Sequence, residues 1–164
     1  MTPLRSIPRT HTQHAWPLCD DAQAVRYART VVRDALTGLE LSPDLVDDAV
    51  LMASELVTNA FLYGEAPYEL VLHTDPEEIV CMVVDCGSPL PVARVVEADS
   101  ERGRGLCIVA ALSEGFWGCH PQKYVTSPGR IGKATWFALP YRPPGMPAAR
   151  RGRLSAERGP GSAA

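Results

Sequence analysis

The segment ASELVTNAFLYG, residues 53–64, is the most informative stretch of this chain, because it reads as the second half of a long helix that carries a carboxylate, Glu55, and a carboxamide, Asn59, one turn apart. At 100° per residue, its small and apolar side chains fall on one side of the helix, whereas Glu55 and Asn59 fall on the other. An asparagine inside a helix costs about 0.5 kcal/mol relative to alanine. A binding site would explain that cost.

Glu55 and Asn59 are four residues apart, so one helical turn brings their side-chain oxygens to the same place. A carboxylate beside an amide carbonyl suits a hard cation such as Mg²⁺, which needs few protein ligands when phosphates supply the others. An ordinary solvated polar face would show the same residues at the same spacing. From these two residues alone, both interpretations stay open.

The helix that carries this segment begins with Ser42 as its N-cap and ends at Gly64. Upstream, apolar residues recur at helical intervals and predict an earlier helix, with Asp20 or Asp21 as its N-cap and Gly38 at its end. Two helices therefore precede the first segments that resemble strands.

Strand patterns follow these two helices. YELVLHT (68–74) alternates, EIVCMVVD (78–85) is almost continuously apolar, and the segment 123–140 reads as a hairpin that turns at residues 128–132. Between them, apolar spacing predicts a third helix that starts near Arg104. This order of elements predicts an α+β fold, a two-layer sandwich with helices on one face of a mixed, largely antiparallel sheet.

The chain is organised as one domain. With 164 residues, of which 46% are hydrophobic, it is long enough for one core and too short for two. We assign residues 1–19 to an arm or edge strand and residues 20–140 to the domain. Residues 141–164 contain too few large apolar side chains to offset the entropy of ordering, and we predict a disordered tail there.

Charge and composition disfavour several classes of function. A net charge of −3 leaves no basic footprint for direct nucleic-acid binding, and no apolar run approaches the roughly 18 residues of a membrane span. The N-terminal residues do not form the apolar segment of a signal peptide, so we expect a cytoplasmic protein. The five cysteines contain no C-x-x-C pair and suit reduced thiols better than a disulfide framework or a zinc site.

Two glycine-containing segments carry further chemical signals. Asp85, in DCGSP, ends a strand that we expect to be buried. Burying its carboxylate costs free energy unless a hydrogen-bond donor, such as the exocyclic amine of a purine, faces it. Gly87 lets the backbone approach a flat ligand. Gly103 and Gly105 precede the third helix, whose exposed amides and positive end favour a phosphate chain. Without any ligand, Asp85 and Gly87 would fit an ordinary turn at the end of a strand. Gly103 and Gly105 would likewise fit an ordinary first turn of a helix.

The order and spacing of these segments resemble the GHKL ATPase superfamily. ELVTNA, which contains Glu55 and Asn59, looks like its N box, DCGSP like its first glycine box and GRGL like its second. The likeness covers about residues 20–140 and implies the Bergerat ATP-binding fold. ASELVTNA, GRGL-x-x-V-x-A-L and K-x-T-W-F-x-L in succession look like the stand-alone anti-sigma-factor serine kinases of the RsbW-like branch.

The resemblance implies a Mg-ATP site and a role for each residue in it. By analogy, Asn59 would ligate Mg²⁺, Asp85 would accept a hydrogen bond from the adenine amine, and Glu55 would polarise the attacking hydroxyl as the catalytic group. The other nucleotide-binding residues that the resemblance implies are Gly87, Gly103, Arg104, Gly105, Leu106 and Thr135.

In this branch the hydroxyl would belong to a serine or threonine of a STAS-type anti-anti-sigma protein, and the kinase would also sequester a sigma factor; a homodimer stays open. Pro89 stands where the superfamily often has a second glycine. Only fifteen residues, 88–102, separate Gly87 from Gly103, so the ATP lid should be short. One alternative is a non-catalytic partner-binding module of the same fold with weak or no nucleotide binding. Another is a hydrolytic clamp-type ATPase, which the lack of a transducer domain after residue 140 disfavours.

Overall fold

The computed structural model describes residues 12–87 and 104–141, and these form three helices and one five-stranded sheet. The predicted α+β sandwich is confirmed. In chain order the elements are β1 (Thr12–Leu18), α1 (Ala24–Thr37), α2 (Pro43–Tyr63), β2 (Tyr68–Thr74), β3 (Glu78–Asp85), α3 (Arg104–Leu112), β4 (Trp117–Lys123) and β5 (Ile131–Pro140).

The sheet has the strand order β1-β2-β3-β5-β4, and every strand pairing within the described residues is antiparallel. The sheet, which we predicted to be mixed and largely antiparallel, is therefore antiparallel throughout this part of the chain. After α3 the chain forms the edge strand β4 and turns back, so that β5 runs antiparallel to β3. The opposite edge is β1, which falls in the segment assigned to an arm or edge strand.

The helix α2 forms where local signals predict it. The Ser42 hydroxyl accepts the backbone N–H of Leu45 at 3.3 Å, Pro43 occupies the first turn, and Gly64 ends the helix. Its buried side includes Ala53 and small neighbours that let α1, α3 and the sheet approach it closely. Because three parts of the fold contact α2, residues on its flanks are positioned by the whole core.

The start of α1 differs from the prediction. The N-cap is Gln23, whose side chain makes no capping hydrogen bond, rather than Asp20 or Asp21. The Asp21 carboxylate instead accepts the backbone N–H of Gln23 at 2.8 Å and so stabilises the turn before the helix. The predicted end of α1 at Gly38 is confirmed.

The C-terminal hairpin also differs from the prediction. We expected its turn at residues 128–132, but the connection between β4 and β5 covers residues 124–130. The backbone N–H groups of Val125 and Thr126 each donate to the buried Glu69 carboxylate at 2.7 Å. Those two amides therefore satisfy a side chain of β2 instead of continuing the strand ladder.

The core lies between the helices and one face of the sheet, and a smaller cluster covers the other face. Residues of the main core include Leu36, Leu56, Leu70, Val83 and Phe137, whereas the smaller cluster contains Val71, Val84, Tyr124 and Ala134. In the part of the chain that the structure describes, no helix is both long and apolar enough to cross a bilayer. The predicted tail from residue 142 onward lies outside the described residues.

Candidate functional site

Two close backbone approaches occur around the C-terminal half of α2. A Cβ atom on Gly105, in the first turn of α3, would lie 2.6 Å from Glu55 Oε2. A Cβ atom on Gly64, at the end of α2, would lie 2.5 Å from Asp85 Cγ. At 1.5 Å per residue these approaches are about 14 Å apart along the helix axis. Glycine at both positions thus lets α3 and β3 come close to α2.

Asn59 lies between these two approaches, one turn after Glu55 on α2. Both side chains are half-buried, so they are neither part of the core nor fully solvated. The Glu55 carboxylate thus lies close to the first turn of α3, and the Asn59 amide lies one helical turn farther along α2.

The Asp85 carboxylate lies at the end of β3 and is 2% exposed. Its Oδ1 accepts the backbone N–H of Gly87 at 2.8 Å, and its Oδ2 lies 3.6 Å from the Lys133 ammonium. A Cβ atom on Gly87 would lie 2.9 Å from the same Oδ1, so this oxygen is enclosed by backbone. The N–H group and the cation offset part of the cost of burying the carboxylate.

The surroundings of Asp85 are poorly solvated and negatively charged. Burial raises the pKa of the Tyr68 hydroxyl, and the carboxylates of Asp20, Asp85 and Glu65 raise it further. Burial also raises the pKa of Tyr124, again with a contribution from Asp85. These carboxylates favour a hydrogen-bond donor at this end of the sheet, whereas the Lys133 ammonium beside Asp85 opposes a second cation.

Thr135 on β5 lies on the face of the sheet that the helices cover. It pairs with the core residue Val83, and Lys133 pairs with Asp85 in the same register. The Thr135 hydroxyl lies 3.3 Å from Cys119 Sγ. Burial raises the pKa of this thiol, which keeps it protonated at neutral pH.

The residues predicted at the start of α3 have different environments. Arg104 is exposed, Gly105 is half-buried against Glu55, and the side chain of Leu106 packs on the core. Only the backbone of Leu106 is therefore suited to contact a ligand. The first amides of a helix lack partners inside it, and at α3 they lie beside Glu55. Gly103 lies outside the described residues.

Two residues that contact Asp85 were not predicted as site residues from the sequence. Gly64 was predicted only to end α2, and Lys133 had no predicted role. A signal for Lys133 was available, because residues two apart on a strand share a face and Lys133 is two residues before Thr135. For Gly64 the sequence holds no comparable signal, since its contact with β3 depends on helix packing.

A separate cavity of about 390 Å³ lies between β1 and α1. Its lining includes Trp16, Asp34 and Leu72, and none of the residues discussed above. It is therefore distinct from the region around the C-terminal half of α2.

The chain is similar to a known family of ATPase domains. Residues 19–123 match the profile of the histidine kinase-like ATPase domain, from the turn before α1 to the end of β4. The matched range covers more than half of the chain and contains Glu55, Asn59, Asp85 and Gly105, whereas β5 lies beyond it. No curated protein matches the sequence.

Proposed function

This chain belongs to the histidine kinase-like ATPase domain family, and from that premise we propose that it is a kinase that binds Mg-ATP and phosphorylates a serine or threonine of a STAS-type anti-anti-sigma protein. It sequesters a sigma factor when that antagonist is absent or phosphorylated. The observation that carries the proposal is that α3 and β3 both approach α2 closely, with Gly105 against Glu55 and Gly64 against Asp85.

The base of the nucleotide is assigned to the Asp85 end of the site. A buried carboxylate accepts a hydrogen bond from the exocyclic amine of adenine, and the Gly87 N–H, which donates to Oδ1, holds that carboxylate in place. Thr135, on the same face of the sheet, supplies a hydroxyl near the base. Recognition of the base thus uses strand residues that the core holds rigidly.

The phosphates are assigned to the start of α3. The backbone amides of Arg104, Gly105 and Leu106 and the positive helix end favour an anionic chain there. The close approach of Gly105 to Glu55 and the half-buried Asn59 fit a hard cation between protein and phosphates. Asn59 would hold the ion, and Mg²⁺, when bound, neutralises phosphate charge.

Glu55 is assigned the catalytic role. It accepts the proton of the substrate hydroxyl as that oxygen bonds to the γ-phosphorus and the bond to ADP breaks. Positioning and charge neutralisation account for most of the acceleration in such a transfer, so the rigid α2 scaffold supports the assignment. The antagonist and the sigma factor are assigned from the succession of motifs that resembles the RsbW-like branch.

The nucleotide site is tested by calorimetric titration of the purified chain with Mg-ATP. We expect Asn59→Ala to lose measurable binding, because the phosphate charge then lacks its compensating ion. Helix propensity alone favours this substitution by about 0.5 kcal/mol, so the variant is expected to stay folded. Thr58→Ala, at the preceding half-buried position, is the matched control and should bind normally. Equal titrations for the wild type and Asn59→Ala would contradict the assignment.

Phosphoryl transfer is tested with radiolabelled Mg-ATP and a recombinant STAS-type antagonist from the same genome. We expect Glu55→Gln to bind Mg-ATP with nearly wild-type affinity and to label the antagonist at least about 100-fold more slowly. Binding of sigma factor is measured in parallel. Normal sigma binding without any transfer by the wild type would reject the kinase and support the partner-binding module of the same fold.

A further inference from the structure

Lys133 lies at the base end of the proposed nucleotide site. Its side chain is 15% exposed, and its ammonium is 3.6 Å from Asp85 Oδ2. The two residues are paired across β3 and β5, so both project toward the helices. A lysine in this position is a charged donor held beside a buried acceptor.

The two oxygens of Asp85 have different environments. Oδ1 accepts the Gly87 N–H at 2.8 Å and is enclosed by Gly64, where a Cβ atom would lie 2.6 Å from it. Oδ2 faces Lys133 at a distance longer than the 2.7–3.2 Å of an ordinary hydrogen bond. A ligand therefore meets one open acceptor, Oδ2, next to one cationic donor.

We infer that Lys133 determines base specificity in this site, by donating to the ring nitrogen N1 of adenine while Asp85 Oδ2 accepts from the 6-amino group. The inference rests on the proposed function. Adenine presents one donor and one acceptor side by side on this edge, which matches one open oxygen beside an ammonium.

Other purines do not match this pair. Guanine and hypoxanthine carry a hydrogen on N1, which would point at the ammonium and leave a donor facing a donor. Guanine could also place N1–H and its 2-amino group on both oxygens of one carboxylate. Asp85 Oδ1 is already enclosed by Gly64 and Gly87, so this two-fold contact is blocked.

A chemical double-mutant cycle tests the contact. ATP and 1-deaza-ATP, in which a C–H group replaces N1, are titrated into wild-type protein and Lys133→Met. Because a hydrogen bond to a charged group is worth about 1.5–3 kcal/mol, we expect wild-type protein to prefer ATP by roughly ten-fold or more and Lys133→Met to bind both ligands equally. Lys123→Met, at the exposed end of β4, has the same change in charge and should keep the wild-type preference.

The outcomes separate this inference from the proposed function. If Lys133 only neutralises Asp85, the substitution weakens both ligands by the same factor and the preference for ATP is unchanged, which would overturn the inference alone. A wild type that binds ATP and 1-deaza-ATP equally would overturn it as well. A wild type that binds neither ligand would reject the nucleotide site, and the proposed function with it.

Discussion

Glu69 and Asp85 are buried carboxylates on adjacent strands, and they differ in the number of hydrogen bonds that they accept. Glu69 on β2 is 0% exposed and accepts three hydrogen bonds, from the backbone of Val125 and from the backbone and hydroxyl of Thr126. Asp85 on β3 is 2% exposed and accepts one N–H, with a cation 3.6 Å away. The first faces the loop side of the sheet, and the second faces the helices.

The comparison shows that burial alone does not identify a binding residue. Glu69 has a donor for each oxygen, so it fastens the connection 124–130 to the sheet and has little capacity left for a ligand. Asp85 has an oxygen without a short hydrogen bond and lies among glycines at a strand end. Incomplete hydrogen bonding of a buried acid is the feature that marks the candidate site.

The largest effect is expected for Glu69→Gln. The amide group of glutamine places a donor against backbone N–H groups that now have a carboxylate oxygen as partner. We expect the free energy of unfolding to fall by about 2–5 kcal/mol, measured by urea denaturation. Glu65→Gln, an exposed position nearby, should be neutral. A Glu69→Gln variant as stable as wild type would remove the distinction between the two acids.

Asp85→Asn should show the reverse pattern. The amide oxygen can still accept the Gly87 N–H, and Lys133 can turn toward solvent, so we expect stability to change by less than about 1 kcal/mol. Affinity for Mg-ATP should fall roughly 10- to 100-fold, because a hydrogen bond to a charged acceptor is lost. Urea denaturation and calorimetry of the same preparation measure both. A loss of stability as large as that of Glu69→Gln would contradict this assignment.

Two close-packed glycines, Gly64 and Gly105, lie on the α2 side of the candidate site. Gly64→Ala would place Cβ against Asp85 and 2.7 Å from the Ala60 carbonyl oxygen, and such overpacking costs about 1–3 kcal/mol. Gly105→Ala meets only the flexible end of Glu55, and alanine favours the helix, so stability should be kept. Phosphoryl transfer by Gly105→Ala should slow because Glu55 is displaced. Equal thermal midpoints for both variants would show that the Gly64 approach is not tight.

The smallest effect is expected at Glu78, a third acid. Burial raises its pKa above the ordinary value of 4.5, and the charges of Asp75 and Glu77 add to the rise. The folded state then binds the proton more tightly than the unfolded state, so this group lowers the free energy of unfolding as pH rises past 4.5.

Glu78→Gln does not titrate, so relative to wild type it should gain slightly in stability between about pH 3 and pH 7. Urea midpoints at the two pH values measure the gain, and Glu114→Gln at an exposed position is the control. A difference between wild type and Glu78→Gln that does not change with pH would contradict the assignment.

The ends of α2, β2 and β3 depend on residues close to them in the chain, and the sequence predicts these ends correctly. Ser42 and Gly64 bound α2 as expected, and the strands β2 and β3 have the predicted ends. Caps and alternation act within a few residues, which explains this accuracy. The first strand of the predicted hairpin 123–140 was placed too late, since β4 ends at Lys123. Its sequence, WGCHPQK, does not alternate and contains Pro121, and an edge strand of this kind depends on backbone pairing with β5.

The misplaced hairpin turn has a long-range cause. The amides of Val125 and Thr126 bind a carboxylate 56 and 57 residues away, and no local pattern reports such a contact. The N-cap of α1 was misplaced for a smaller reason, since Asp21 binds the N–H of Gln23 in the turn rather than that of a helical residue.

Periodicity and motif spacing are properties of neighbouring residues, so they are enough to predict the polar side of α2, the acid at the end of β3 and the glycines near the start of α3. Three further features exist only in the folded chain: Gly64 encloses one oxygen of Asp85, Lys133 lies beside the other, and both oxygens of Glu69 accept hydrogen bonds. These contacts depend on strand register and helix packing, which bring together groups far apart in the chain.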